Sequence, residues 1–391
     1  MERAIFDREH DEFRASFRSF IAKELTPHYL EWEDAGIAPR DLFAAAGQNG
    51  FVGMSIPEDH GGGGVRDFRF NAVLAEELAA AGIGGAGLGI TLHNDITTPY
   101  FVEYCNPEQA RRWLPGIASG DLITAIAMTE PGTGSDLAGI ASTAVRDGET
   151  YIVNGSKTFI TNGINADLII VAVRTDASSR HGGLTLLVIE RGMEGFERGR
   201  NLDKIGMHSQ DTAELFFTDV RVSAANRLGD EGRGFQYLTA NLAQERLSIA
   251  VTGVASARAA LDWTVAYVKE RKAFGQPISA FQNTKFVLAE VKTEISRPGI
   301  RRPGRDRTQR RHPVARRRCH RQVVVHRATE TRHRSLPAAV RRLRLHARVP
   351  DRPGLHRRPH HHDLRRHHRS DEGHHRPRPR ALTTRSTGWW S

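Results

Sequence analysis

The runs LITAIAMT (122–129), DLIIVAVR (167–174), LTLLVIE (184–190) and AELFFTDVRVS (213–223) decide the fold. Each is short, apolar or alternating, and rich in β-branched residues, which is the pattern of strands. Turn clusters such as Arg146-Asp147-Gly148 and Asn154-Gly155 separate them. No helical pattern falls between the runs. Residues 121–230 therefore read as an antiparallel β-barrel or sandwich rather than a parallel sheet.

On either side the period becomes helical. Upstream, Phe13, Phe17, Phe20 and Ile21 recur at helical spacing, as do Leu42, Ala45 and Ala46. The stretch FNAVLAEELAAA (70–81) is rich in strong helix formers. Gly61 to Gly64 make a plain loop, since no Gly-Lys-Ser/Thr follows to bind phosphate. Downstream, 233–293 turns helical again, ending with Phe281, Phe286, Val287 and Val291. The order predicts an α+β chain: an N-terminal helical domain (1–120), a middle β domain (121–230) and a C-terminal helical domain (231–296).

At Arg297 the composition breaks. Residues 297–391 hold 28 Arg, no Lys, 13 His and six acids, whereas 1–296 hold 28 Lys+Arg against 39 Asp+Glu and all 17 Phe. The net charge of +11 is thus −11 plus +22. A segment so charged and so poor in large apolar residues predicts a disordered Arg/His-rich tail. Its arginines invite a nucleic-acid reading, but no lysine, no recognisable module and no interleaved aromatics support one. His360, His361 and His362 stand among arginines, which repel a cation, so no metal site is expected. Arg-, His- and Pro-rich text is also what a GC-rich gene yields out of frame. One constant offset, applied to Gln322–Ala328, Ser335–His346 and His361–His368, permits a more ordinary sequence, which places a frameshift near Ile295 to Arg297.

Two cysteines, Cys105 and Cys319, suit a reducing cytoplasm better than a disulfide framework. The charged start MERAIFDREHDEF is unlike a signal peptide. No apolar run is long enough to span a membrane, and no internal repeat is present.

Four segments could carry chemistry. In ITAIAMTEPGTGSDLAGI (123–140) a strand runs into a Gly-rich turn. Gly132 and Gly134 permit close approach of a ligand, and Thr129 and Ser135 offer hydroxyls; a tight turn explains the same residues. In YIVNGSKTFITNG (151–163) the Asn154-Gly155 pair predicts a hairpin joining two short strands, with Phe159 and Thr161 on one face, lining either a planar cofactor or the core. In the helix around 235–254, Phe235, Leu238, Leu242 and Ile249 form an apolar stripe, and Glu245 falls on it. A carboxylate there is either a general base raised by desolvation or half of an ion pair with Arg246 or another cation. In ERKAFGQPISAFQ (270–282), Arg271 and Lys272 close a helix, with Gly275 and Pro277 beyond it.

Together these segments resemble the acyl-CoA dehydrogenases, over 1–296 and in order. AMTEPGTGSD, NGSKTFITNG and ERKAFGQPI are similar to three motifs of that family. The resemblance implies an FAD enzyme that dehydrogenates an acyl-CoA thioester to the trans-2-enoyl-CoA and passes electrons to an electron-transferring flavoprotein. It implies a partial C-terminal four-helix bundle and a homo-oligomer, dimer or tetramer, with sites shared between subunits. It places Ile126, Met128, Thr129, Gly134 and Ser135 over the flavin, and Phe159, Ile160 and Thr161 against its ring. Arg271, Phe274 and Gln282 would reach the FAD of a neighbouring subunit. Ser135, Asn241 and Arg246 would meet the acyl-CoA, and Glu245 matches the base position of isovaleryl- and long-chain-type members.

Overall fold

The computed structural model describes residues 5–179 and 182–296. The disorder and the altered frame expected of 297–391 lie outside the described residues. The N-terminal part is helical: α1 (Arg8–Phe20), α2 (Tyr29–Ala35), α3 (Asp41–Gln48), α4 (Phe68–Ala81), α5 (Gly84–Leu92), α6 (Thr98–Tyr104) and α7 (Pro107–Ser119). Two π-helical turns, Ile21–Leu25 and His93–Thr97, extend α1 and join α5 to α6. Local chemistry sets the ends. Asn106 accepts the backbone N–H of Gln109 at 2.9 Å and Pro107 opens α7. The predicted periodicity is the packed face: Phe17, Phe20, Ile21, Leu42 and Ala46 share one core with Phe51, Leu74, Leu78 and Ile90.

The strands are β1 (Thr124–Ala127), β2 (Thr143–Asp147), β3 (Thr150–Thr161), β4 (Leu168–Arg174), β5 (Leu184–Glu190), β6 (Phe196–Asn201), β7 (Thr212–Ser223) and β8 (Arg227–Leu228). They lie in the order β6-β7-β3-β2-β4-β5-β8, with β1 beside β4. The expected antiparallel barrel is corrected on two counts. The ends of the path, β6 and β8, do not pair, so the sheet is open. It is also mixed: β1 runs parallel to β4, with Ile126 opposite Ile170. The β2–β3 hairpin makes the crossover between these two strands, so the lack of an intervening helical pattern did not mean an antiparallel neighbour.

Asn154-Gly155 does not make the predicted hairpin either. It lies inside β3 at a register shift, and the turn is at Gly148. Gly155 has φ +143, and a Cβ there would lie 2.4 Å from Ser142 Oγ. The glycine serves close packing of β3 on the segment before β2.

Strand β4 is apolar from Leu168 to Val173 because both faces are covered. Ile169, Val171 and Val173 face a core with Tyr151, Leu215 and Val222. Leu168, Ile170 and Ala172 face the helices, with Tyr100, Trp113 and Leu238.

The chain then forms α8 (Gly234–Glu270), a small hairpin of β9 (Lys272–Ala273) and β10 (Gln276–Pro277), and α9 (Gln282–Ser296). The buried stripe of α8 includes Leu238, Asn241, Glu245 and Ser248. Ile249, expected on that stripe, is 53% exposed; Ser248 takes the inward position. Trp263, Tyr267 and Phe286 are also exposed.

Candidate active site

The first two motifs are bound to each other. The Thr158 N–H donates to Thr129 O at 2.9 Å. Lys157 Nζ lies 3.2 Å from Met128 O and 2.8 Å from Glu130 Oε1. Glu130 also accepts the N–H groups of Ala141 and Ser142 and the Ser142 hydroxyl. Burial alone would raise the Glu130 carboxyl, but Lys157 and these donors hold it below its ordinary value. Burial pulls the Lys157 ammonium down to about 8 against the attraction of Glu130.

Past Glu130, the loop carrying Gly134 and Ser135 is exposed. A Cβ on Gly132 or Gly134 meets nothing within 4 Å. Among the described residues, no acceptor takes the backbone N–H of Gly132, Gly134 or Ser135. In β3 the register shifts between Lys157 and Ile160. Phe159 there has φ 60°, so simple alternation with Thr161 does not hold. Its ring is 66% exposed. Such a conformation is uncommon for a bulky residue and tends to cluster at functional sites. Ile160 turns its side chain into the core opposite Ala213, leaving only its backbone for a ligand. Thr161 is half-buried, and Ile126 is buried.

This open backbone beside an exposed aromatic fits a planar cofactor with a phosphate group. The N–H groups of Gly132, Gly134 and Ser135 could donate to anionic oxygens, and the Phe159 ring offers an apolar face.

Helix α8 approaches the same region. Leu238, Ile126 and Tyr100 belong to one apolar cluster, against which Met128 and Phe235 pack. On the buried stripe, Glu245 is 7% exposed. The Tyr100 hydroxyl donates to Glu245 Oε1 at 2.9 Å. Burial pushes this carboxyl above its usual value; the Tyr100 hydrogen bond and the charge of exposed Arg246 oppose that without cancelling it. Of the two readings open to the sequence, a raised and buried carboxyl is therefore found rather than a close ion pair. Asn241, one turn earlier, is buried.

Arg271, Phe274 and Gln282 stand apart. All three are exposed, Phe274 at 95%. Arg271 follows the last residue of α8, which puts it roughly 40 Å along that helix from Glu245.

Several polar residues of the site carried little or no sequence signal. Lys157 shares the parity of inward-facing Tyr151 and Val153, a hint of a buried cation. Tyr100 and Asp95 gave none, since their partners are distant in sequence. The grouping of Asp7, Glu9 and His10 resembles a metal site. His10 Nδ1, however, accepts the Asp7 N–H at 3.1 Å and serves as a helix cap. Among the described residues, no helix is long and apolar enough to cross a membrane.

The family models for the acyl-CoA dehydrogenase N-terminal, middle and C-terminal domains match residues 7–121, 125–220 and 232–297. The last match ends where the composition changes. The mitochondrial long-chain specific acyl-CoA dehydrogenase of Sus scrofa is 46% identical over 295 residues, which span 75% of this chain and 68% of that protein. The crystal structure of an acyl-CoA dehydrogenase from Geobacillus kaustophilus is 53% identical with a TM-score of 0.73, over 75% of this chain and 77% of that one. A Mycobacterium smegmatis glutaryl-CoA dehydrogenase in complex with FADH2 is 25% identical with a TM-score of 0.69, over 86% of this chain and 79% of that one. Acyl-CoA dehydrogenases are FAD flavoproteins and oxidoreductases. From its strand-and-loop motifs to its helices, the chain belongs to the acyl-CoA dehydrogenase family.

Proposed function

We propose that residues 5–296 carry a site for FAD-dependent α,β-dehydrogenation of an acyl-CoA, with Glu245 as general base. The observation that carries this reading is a buried carboxyl, raised by desolvation, on a helix packed against the strand of the first motif. Bound FAD supplies the two-electron oxidation. The protein's part is to orient and to move one proton. Thr129 and the loop through Gly134 and Ser135 would hold the cofactor through backbone and hydroxyl donors, with Phe159 and Thr161 beside its ring. Asn241 and Arg246 flank Glu245 on α8 and would meet the acyl-CoA. The Glu245 carboxylate then accepts the α-proton, and its raised affinity for protons matches that task.

Three further readings rest on the family. The chain would divide near 120 and 230 into N-terminal, middle and C-terminal domains, a reading supported by the matched regions. Arg271, just past the far end of α8 from Glu245, and Phe274 and Gln282 beyond it would serve the flavin of a second copy, which makes a homo-oligomer the working assembly. Electrons would leave to an electron-transferring flavoprotein.

The test is anaerobic mixing of the flavin-loaded full chain with long-chain and isovaleryl-CoA. The yellow absorbance should bleach, and Glu245→Gln should keep its flavin yet bleach roughly 10²- to 10⁴-fold more slowly. Undiminished bleaching in that variant moves the base elsewhere.

A further inference from the structure

The turn of α8 that carries Glu245 is held from one side by a single short segment. Gln244 Nε2 donates to Asp95 O at 2.9 Å. The Tyr100 hydroxyl donates to Glu245 Oε1 at 2.9 Å. Ser248 Oγ donates to Asp95 Oδ2, and Asn71 Nδ2 from α4 donates to Asp95 Oδ1 at 2.6 Å. Asp95 lies in the π-helical turn His93–Thr97, and Tyr100 follows in α6. The segment thus grips α8 before, at and after the carboxylate. π-Helical insertions in otherwise α-helical chain are often found at functional sites.

Tyr100 is fully buried, and burial, with the neighbouring Glu245 charge adding to it, raises its phenol so far that it stays a donor at any working pH. It occupies one oxygen of Glu245. Among the described residues, Oε2 accepts no hydrogen bond. A carboxylate fixed through one oxygen presents the other in a defined direction.

We propose that Tyr100 is the positioning residue of the base: it fixes Glu245 through Oε1, leaves Oε2 to take the substrate proton, and depends on Asp95 to keep α8 in register. The proposal rests on the reading of Glu245 as the base. The groups that act on this carboxyl are Tyr100 from α6 and Arg246 on α8; Glu103 and Tyr104 bear on Tyr100 itself, and Asp95 is held by Ser248. Of these, Tyr100 makes the hydrogen bond, and a bond to the ionised form favours ionisation.

The test uses the full chain and follows the Glu245 carboxyl by isotope-edited infrared titration, with Glu245→Gln assigning the signal. Tyr100→Phe keeps the ring and removes the donor. It should raise the midpoint by about one to two pH units, the size expected for a hydrogen bond to a charged group. A fluorinated tyrosine at position 100, a stronger donor with the same shape, should lower it, and it decides the matter should the Phe variant not fold. A midpoint unmoved by either change overturns the proposal. In the flavin-loaded protein, the acid limb of the bleaching rate should move with the midpoint, while the acyl-CoA concentration for half-saturation stays constant. Full bleaching in Glu245→Gln sinks the assignment of the base instead. A dead Glu245→Gln, together with superimposable pH profiles for the parent and Tyr100→Phe, sinks only the role of Tyr100.

Discussion

Lys157 Nζ lies 2.8 Å from Glu130 Oε1, both side chains are enclosed, and the two residues stand 27 apart in sequence. This ion pair ties the loop of the first motif to the strand of the second. Lys157→Met would leave Glu130 buried without its cation, which typically costs roughly 3–5 kcal/mol. Urea unfolding should show that loss, and Glu130→Gln added to it should recover part. Flavin retention should fall with the single change. Equal stability of Lys157→Met and the parent would mean that the pair does not join the motifs.

Gly155 gives a backbone test of the same region. At φ +143, with Ser142 Oγ 2.4 Å from where a methyl carbon would stand, alanine has neither conformation nor space. Gly155→Ala should destabilise by about 1–3 kcal/mol in thermal melts. Because Ser142 also holds Glu130, the change should loosen flavin binding too. A neutral outcome would show that the bulge tolerates a side chain.

His93 and Asp95 predict opposed pH effects. Burial lowers His93 to about 4, although the hydrogen bond to Ile117 O opposes it. Its contribution is present above the unfolded value of about 6.5 and is lost as pH falls towards 4. Burial raises Asp95 to about 6, although Ser248 and Asn71 oppose it. Its contribution is full below the unfolded value and is lost as pH rises through 6. Between about pH 7 and 4.5 the two nearly cancel. Asp95→Asn removes one of them, so that variant should lose about 2 kcal/mol more than the parent on this acidification. Urea midpoints at the two pH values measure it, and parallel curves would contradict it.

The hairpin after α8 separates folding from assembly. Phe274 is exposed, so Phe274→Ala should leave the unfolding midpoint within about 0.5 kcal/mol of the parent. If the residue serves a second copy, flavin release should rise only where protein concentration supports self-association. The same flavin release as the parent at every concentration would end the cross-subunit reading.

The strands, the helices and the break at Arg297 were legible because period and composition are local. Leu168 to Val173 could be read as a strand from their apolar run alone. What the run could not show was its neighbour: β1 lies parallel to β4 only because an entire hairpin intervenes. Asn154-Gly155 misled for a related reason. A glycine that turns a chain and a glycine that admits a neighbouring backbone look alike until the neighbour, Ser142, is known. Glu245 was legible as an inward carboxylate from helical spacing, yet the same spacing put Ile249 inside. The stripe drifts around a helix as long as α8, and Ser248 is held inward by Asp95, 153 residues away in sequence. Tyr100 reaches Glu245 across 145 residues, a separation no periodic pattern can report.

None of the side chains of α9 is buried, whereas almost every side chain of β4 and β5 is. In deuterated solvent, the amides of Gln282–Ser296 should take up label within the earliest time points, while those of the two central strands wait for global opening. A limited digest should likewise trim the chain back toward the end of α8 and leave the sheet whole.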